Sequence, residues 1–145
     1  MYKSILVPLD GSKDSALAVK HAAELASILG SEIILFHVIP SLPPYLDAAP
    51  EKLSSIQQSI MDEYMKQGKT ILNKAKDSLA AYGLNIQTII AIGSPSDEII
   101  KRAKKQNYDL VVMGSRGLGG IKGVLMGSVS GRVARYANRP VLIVR

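Results

Sequence analysis

Six glycines fall within the 17 residues from Gly114 to Ser130 (Gly-Ser-Arg-Gly-Leu-Gly-Gly-Ile-Lys-Gly-Val-Leu-Met-Gly-Ser-Val-Ser). Glycine reaches positive φ without steric cost, so backbone N–H groups in such a stretch can converge on one point. Nests of that kind bind anions. Gly127-Ser128-Val129-Ser130 then opens a helix, and the free N–H groups and positive dipole end of a helix start favour an anion as well. Ser128 and Ser130 add hydroxyl donors, and Arg116 and Lys122 can supply charge. The chemistry expected here is phosphate binding; the competing reading is a surface loop ahead of a helix cap. Two familiar phosphate motifs do not fit. There is no Gly-Lys-Ser/Thr, which excludes a Walker A loop. No G-x-G-x-x-G follows the first strand-like segment, where a dinucleotide fingerprint belongs.

The second candidate is Asp10, at the end of Ile5-Leu6-Val7-Pro8-Leu9. A carboxylate repels a bare phosphate. Phosphates therefore belong on the Gly114 side, and Asp10 suits ribose hydroxyls or a divalent ion shared with the phosphates. The alternative is that Asp10 only caps the following helix through a turn.

The charge distribution points the same way. Residues 1–100 hold 8 basic and 11 acidic groups, and residues 101–145 hold 10 and 1. The net +6 of the chain thus conceals a last third at +9, which seeks a phosphate, a nucleic acid or a membrane surface. Lys101, Arg102, Lys104 and Lys105, with Arg132, Arg135 and Arg139, form the basic clusters. The 6 Tyr and 1 Phe do not interleave with them as base-stacking platforms would, so a solvated helix face is favoured over nucleic-acid binding. With no cysteine, disulfides, thiolate nucleophiles and Cys-ligated metals are excluded. Two histidines, His21 and His37, cannot make a three-histidine metal site within one chain. A Ser12–His37–Asp10 hydrolase lacks a nucleophile elbow. His37 is expected at a strand end, useful if at all for its backbone, and His21 on a helix surface. Flavin binding would need phosphate donors where Asp10 stands. A phospho-receiver would need an acidic residue where Gly93 stands.

Strands and helices must position these residues. Tyr2 to Leu9 reads as a buried strand, and a helix spans about Ser12 to Leu29, with Ala18, Ala22, Leu25 and Leu29 at helical spacing. Ile33 to Ile39 is so apolar that both its faces should be covered, as in a parallel sheet. Pro40 to Pro50 is an irregular loop with four prolines. A long helix follows over about Glu51 to Tyr82. Gly68 falls on its apolar stripe, implying close backbone contact or a bend. Asn85 to Ile92 is a third strand. Ser94-Pro95-Ser96-Asp97 has the spacing of a capping box for a helix to about Gln106. Asp109 to Met113 is a fourth strand, Ser128 to Ala137 a helix, and Pro140 to Val144 a fifth strand. Alternating strands and helices predict an α/β fold, a doubly wound five-stranded parallel sheet with helices on both faces. Ligands of such sheets bind beyond the strand carboxyl ends where the winding reverses. Placing the Asp10 and Gly114 ends together gives the order 3-2-1-4-5.

The whole chain resembles the universal stress protein family, specifically its ATP-binding branch. The resemblance is carried by Ile5-Leu6-Val7-Pro8-Leu9-Asp10-Gly11-Ser12, His37-Val38, Gly93-Ser94-Pro95, Asp109 to Gly114, Gly127-Ser128-Val129-Ser130 and Pro140 to Val144. Gly114, Gly117, Gly127 and Ser128 meet the branch's signature of glycine, two residues, glycine, nine residues, then glycine and Ser/Thr. The resemblance implies a Rossmann-like fold, with adenine near Pro8 and the Val38 backbone and ribose near Asp10 and Gly114. It places phosphates on Arg116, Gly117, Gly119, Gly120, Gly127, Ser128, Val129 and Ser130. Met113 and Ser115 complete the candidate nucleotide-binding set, and the ligand is ATP, ADP or AMP, usually with Mg²⁺ or Mn²⁺. It implies no direct protein ligand for the metal; Asp10 would act through water. Leu9 stands where many members carry a smaller or hydroxylated residue, which reshapes the adenine end.

The family implies a homodimer through the last strand. Pro140-Val141-Leu142-Ile143-Val144 is independently an apolar edge without charge before Arg145, and such edges pair with other chains. A length of 145 residues suits one domain. No signal-peptide pattern or membrane-length apolar run is visible, so a soluble cytoplasmic protein is expected. The function expected is a nucleotide-dependent regulator or sensor in stress response. No catalytic residue is assigned, and any ATP hydrolysis should be slow and metal-dependent. The alternatives are a nucleotide-free interaction module of the same fold and, further off, a nucleic-acid-binding protein.

Overall fold

The computed structural model describes residues 1–42, 51–118 and 126–145. Among these residues five strands alternate with four α-helices: β1 (Ser4–Pro8), α1 (Lys13–Leu29), β2 (Glu32–Ile39), α2 (Glu51–Ser78), β3 (Ile86–Ile92), α3 (Pro95–Lys105), β4 (Leu110–Gly114), α4 (Ser128–Tyr136) and β5 (Val141–Val144). All four pairings are parallel, and the order is β3-β2-β1-β4-β5, as the sequence predicts.

The alternation of side chains along each strand divides the core in two. Ile5, Val7, Ile33, Leu35, Leu110 and Val112 face one layer, where they pack on Ala18, Ala22 and Ala26 of α1 and Leu72 of α2. Alanines on that stripe let α1 lie close to the sheet. Leu6, Ile34, Phe36, Val111 and Met113 face the other layer, against Ile99 and Ala103 of α3 and Val133 of α4. Ile5, Leu6, Ile33 and Val111 are fully buried, each contributing roughly 1.5–3 kcal/mol of transfer free energy. The sheet is covered on both faces, which is why its strands read as continuous apolar runs.

Two local expectations need correction. The second long helix stops at Ser78, not Tyr82, and a 3-10 turn spans Ala80–Tyr82. Leu79 is buried at φ −100° and ψ 2°, which breaks the α-helical ladder; the bonds become Leu79 N–H to the Lys76 carbonyl and Tyr82 N–H to the Leu79 carbonyl. At the start of α3, Ser94 is the N-cap residue and Pro95 follows, but the Ser94 hydroxyl makes no capping bond. The other member of the expected box, Asp97, is engaged elsewhere, 2.9 Å from Arg132 on α4. Eight of the eleven residues of the proline-rich loop, 43–50, lie outside the described residues. Gly68 does mark a close approach: a Cβ there would stand 2.8 Å from Cδ2 of His37.

Candidate functional site

Because β1 lies between β2 and β4, the chain leaves β1 toward one face and returns from β4 toward the other. The two carboxyl ends therefore open into a cleft of about 500 Å³. Pro8, Phe36, Val38, Ile99, Met113 and Val129 form an apolar wall, and Asp10, Ser12, Ser115, Arg116, Ser128 and Ser130 form a polar one. Gly114, Gly117 and Gly127 complete the polar side. The predicted site residues from Pro8 to Ser130 thus meet in one cavity, apart from Gly119, Gly120 and Lys122, which lie outside the described residues.

The glycines act differently from expectation. Positive φ occurs at Gly11, Gly30, Gly83 and Gly93, and at none of the described glycines of the loop. What the loop requires is room. A Cβ on Gly114 would sit 2.7 Å from the carbonyl carbon of Asp14, and one on Gly117 2.5 Å from Oδ2 of Asp10. One on Gly127 would sit 3.2 Å from the Ser115 carbonyl oxygen.

Asp10 fulfils the turn reading and reaches further. Its Oδ1 accepts the Ser12 N–H at 2.9 Å, closing the turn into α1. Its Oδ2 accepts the Leu118 N–H at 3.1 Å, tying the turn to the loop after β4. One helical turn on stands Asp14, a residue that motif reading passed over. Its Oδ2 accepts the Ser115 hydroxyl at 3.0 Å and the Arg116 N–H at 3.2 Å, and lies 3.7 Å from Arg116 Nε. The signal was available: an acidic residue at the spacing of one helical turn from Asp10, in the first turn of a helix. Arg116 therefore lines the cleft with its guanidinium already beside a carboxylate.

Ser130 also departs from its expected role. Its hydroxyl is buried and donates to the Ser115 carbonyl, which the Gly127 N–H also reaches, at 2.6 Å in each case. It braces the loop against α4 and is not a free donor. The start of α4 is open, however. Gly127 is its N-cap and offers no side chain, no acidic residue lies in the first turn, and the first helical bond runs from the Gly131 N–H to the Gly127 carbonyl. The N–H groups of Ser128, Val129 and Ser130 are left without a helical acceptor. In contrast, α1 has a Ser12 cap and Asp14, and α3 has Asp97 and Glu98.

Outside the cleft, several basic residues are committed internally. Arg102 lies over the Phe36 ring at 4.9 Å, Arg132 reaches Ser96 and Asp97, and Arg139 bonds the Ala103 carbonyl and Asn107. No group of three or more His, Asp or Glu suited to a metal occurs among the described residues. Among them, too, no helix is long and apolar enough to cross a membrane.

A doubly wound parallel sheet with an anion-suited helix start at its switch point defines a Rossmann-like ligand-binding class. The universal stress protein family model matches residues 1–145, and the chain belongs to that family. It is 37% identical to the universal stress protein YxiE of Bacillus subtilis, all of both chains being covered. It is 30% identical to the universal stress protein MJ0577 of Methanocaldococcus jannaschii over 100% of this chain and 96% of that one. The solved MJ0577 structure superposes with a TM-score of 0.85 over 99% of this chain and 96% of that one. A universal stress protein solved in complex with cAMP superposes with a TM-score of 0.75 at 30% identity, covering 99% and 97%.

Proposed function

We propose that this protein binds an adenine nucleotide in the cleft between β1 and β4, and acts as an ATP-dependent regulator or sensor in stress response. The observation that carries the reading is the uncapped start of α4, opening onto a cavity with an apolar wall large enough for a base. The phosphates lie against the N–H groups of Ser128, Val129 and Ser130, near Arg116. The base lies between Pro8, Val38 and Met113, and the ribose near Asp10 and Gly114. The related protein with bound cAMP supports an adenine ligand.

Mg²⁺ or Mn²⁺ fits this set only in one way. Asp10 is the one carboxylate lining the cleft among the described residues, and both its oxygens already accept backbone N–H groups. A divalent ion would be held chiefly by the phosphates, with Asp10 reached through water. Hydrolysis in this cleft should be slow, because its one lining carboxylate is engaged and no other described side chain lining it can serve as a base for water.

The protein is further proposed to be a cytoplasmic homodimer joined through β5. Among the described residues that strand pairs only with β4, and Leu142 on it is 38% exposed. A second reading, a nucleotide-free interaction module, draws on the carboxylates of Asp10 and Asp14, which already satisfy the Leu118 and Arg116 N–H groups of the loop.

Calorimetry with ATP and magnesium chloride distinguishes the two, on the wild type and on the Gly117→Val, Gly127→Val double variant. Saturating ATP should raise the wild-type melting temperature, and the double variant should bind at least about tenfold more weakly because the new side chains fill the phosphate side. Equal affinity in both, or no ATP-dependent stabilisation of the wild type, would sink the assignment.

A further inference from the structure

The β1–β2 ladder ends abruptly at the cleft. Its last bond runs from the Leu9 N–H to the Phe36 carbonyl at 2.9 Å. In a continuing parallel ladder the next bond would run from the Val38 N–H to the Leu9 carbonyl. Instead that carbonyl lies 2.8 Å from Nδ1 of His37. A carbonyl only accepts, so Nδ1 carries the proton. The N–H and C=O of Val38 both face the β1 side, as those of Phe36 do, and lie past the last rung where Val38 lines the cleft.

The ring is held from behind by α2. A Cβ on Gly68 would come within 2.8 Å of His37 Cδ2 and 3.4 Å of Nε2. Any larger residue at 68 would displace the imidazole. Gly68, His37 and the Leu9 carbonyl thus form a chain from α2 to the edge of the base pocket.

We infer that His37 is a positioning residue for base recognition: its ring, seated on Gly68, takes up the Leu9 carbonyl and so leaves the Val38 N–H and C=O free to read a base edge. This rests on the adenine-nucleotide reading above. An N–H beside a C=O matches adenine, which offers the ring N1 as acceptor and the 6-amino group as donor. Hypoxanthine has nearly the same shape and the opposite pattern, N1–H and O6. A site built to hydrogen-bond one pattern rejects the other. Without His37, the Leu9 carbonyl takes the Val38 N–H, the ladder closes by one rung, and the donor to N1 is lost.

The test is calorimetry of the full chain with ATP and with ITP, each with magnesium chloride, on wild type, His37→Leu and His37→Asn. Asn places an amide N–H where Nδ1 stands and keeps the bond to the Leu9 carbonyl. The wild type should prefer ATP, His37→Leu should reduce the ATP-to-ITP affinity ratio about fivefold, the worth of one hydrogen bond, and His37→Asn should retain it. Equal weakening of both nucleotides in His37→Leu means that the ring only supports the fold, and overturns the inference while leaving nucleotide binding intact. A wild type that binds ATP and ITP alike removes base readout at Val38. A wild type that binds neither removes the nucleotide reading and this inference with it. Should His37→Leu fail to fold, Gly68→Ala, which pushes on the ring, should lower the ratio in the same direction, and an unchanged ratio would overturn the inference. Nitrogen-15 chemical shifts of the wild-type imidazole should report the Nδ1–H tautomer; the Nε2–H tautomer would also overturn it.

Discussion

Replacing Asp14 by alanine removes three interactions at once, and their magnitudes differ enough to be ranked. The Ser115 hydroxyl it accepts belongs to a residue only 1% exposed, so the loss leaves a buried donor without that acceptor. A hydrogen bond to a charged group contributes about 1.5–3 kcal/mol. The Arg116 N–H bond at 3.2 Å is partly exposed, and water replaces some of it. The ion pair to Arg116 Nε is long, at 3.7 Å, and the Arg116 side chain is 37% exposed, so its contribution is at most about 1 kcal/mol. Alanine returns about 0.5 kcal/mol as the better helix former. The net expected loss is about 2–3 kcal/mol, dominated by the buried Ser115 bond. For a chain of this size that corresponds to a fall of roughly 6–10 °C in melting temperature.

Urea unfolding followed by circular dichroism measures it, alongside Asp14→Asn, Ser115→Ala and the double variant Asp14→Ala, Ser115→Ala. Asn keeps an acceptor and should cost about 1 kcal/mol. The cycle should give a coupling near 1–2 kcal/mol between the two side chains, since each single change abolishes the same bond. If Asp14→Ala costs under about 0.5 kcal/mol, or the cycle shows no coupling, the ranking is wrong and the Ser115 contact is not what joins α1 to the loop.

Two further outcomes follow from the geometry. Gly114→Ala places a Cβ 2.7 Å from the backbone of Asp14, so α1 and β4 must separate; a loss of about 3 kcal/mol is expected by urea unfolding, and a cost below 1 kcal/mol would show that the helix moves freely. Leu142→Lys puts a charge on the exposed edge strand, and should shift the protein from dimer to monomer in analytical ultracentrifugation without lowering its melting temperature by more than a few degrees; a wild type that sediments as a monomer removes the β5 dimer.

The order of the sheet was legible because β2 and β4 are apolar on both faces and because two polar, turn-forming strand ends had to meet. The cleft was legible for the same reason: Asp10, Gly114 and Gly127 are punctuation at strand and helix ends, where sequence and position correspond closely. What was not legible depends on side chains meeting across the fold. The one local mark of Asp14, its place a helical turn beyond Asp10, does not name its partners, which are 101 and 102 residues away. His37 read as a strand residue with an idle ring, because the Leu9 carbonyl comes within its reach only once β1 stops short. The capping box before α3 misled because Asp97 had a competing partner in Arg132, on a helix far along the chain.

The glycine-rich loop uses its glycines for close approach and not for curvature. Its described glycines do not bend the backbone into positive φ; Gly114 and Gly117 let Asp14 and Asp10 approach it closely, and Gly127 lets the Ser115 carbonyl do so. Two loop N–H groups, those of Arg116 and Leu118, consequently already have anionic acceptors from the protein itself. An incoming phosphate gains little there unless it displaces a carboxylate, and it would meet repulsion while both remain. The start of α4 carries neither a side-chain cap nor an acid, so the favourable potential in the described cleft is concentrated at Ser128, Val129 and Ser130. Affinity for a phosphorylated ligand should therefore depend more on that helix start than on the first half of the loop. Asp10 and Asp14 act in opposition: they hold the loop in place and, on the proposed reading, should limit how much negative charge a ligand can bring into the cleft.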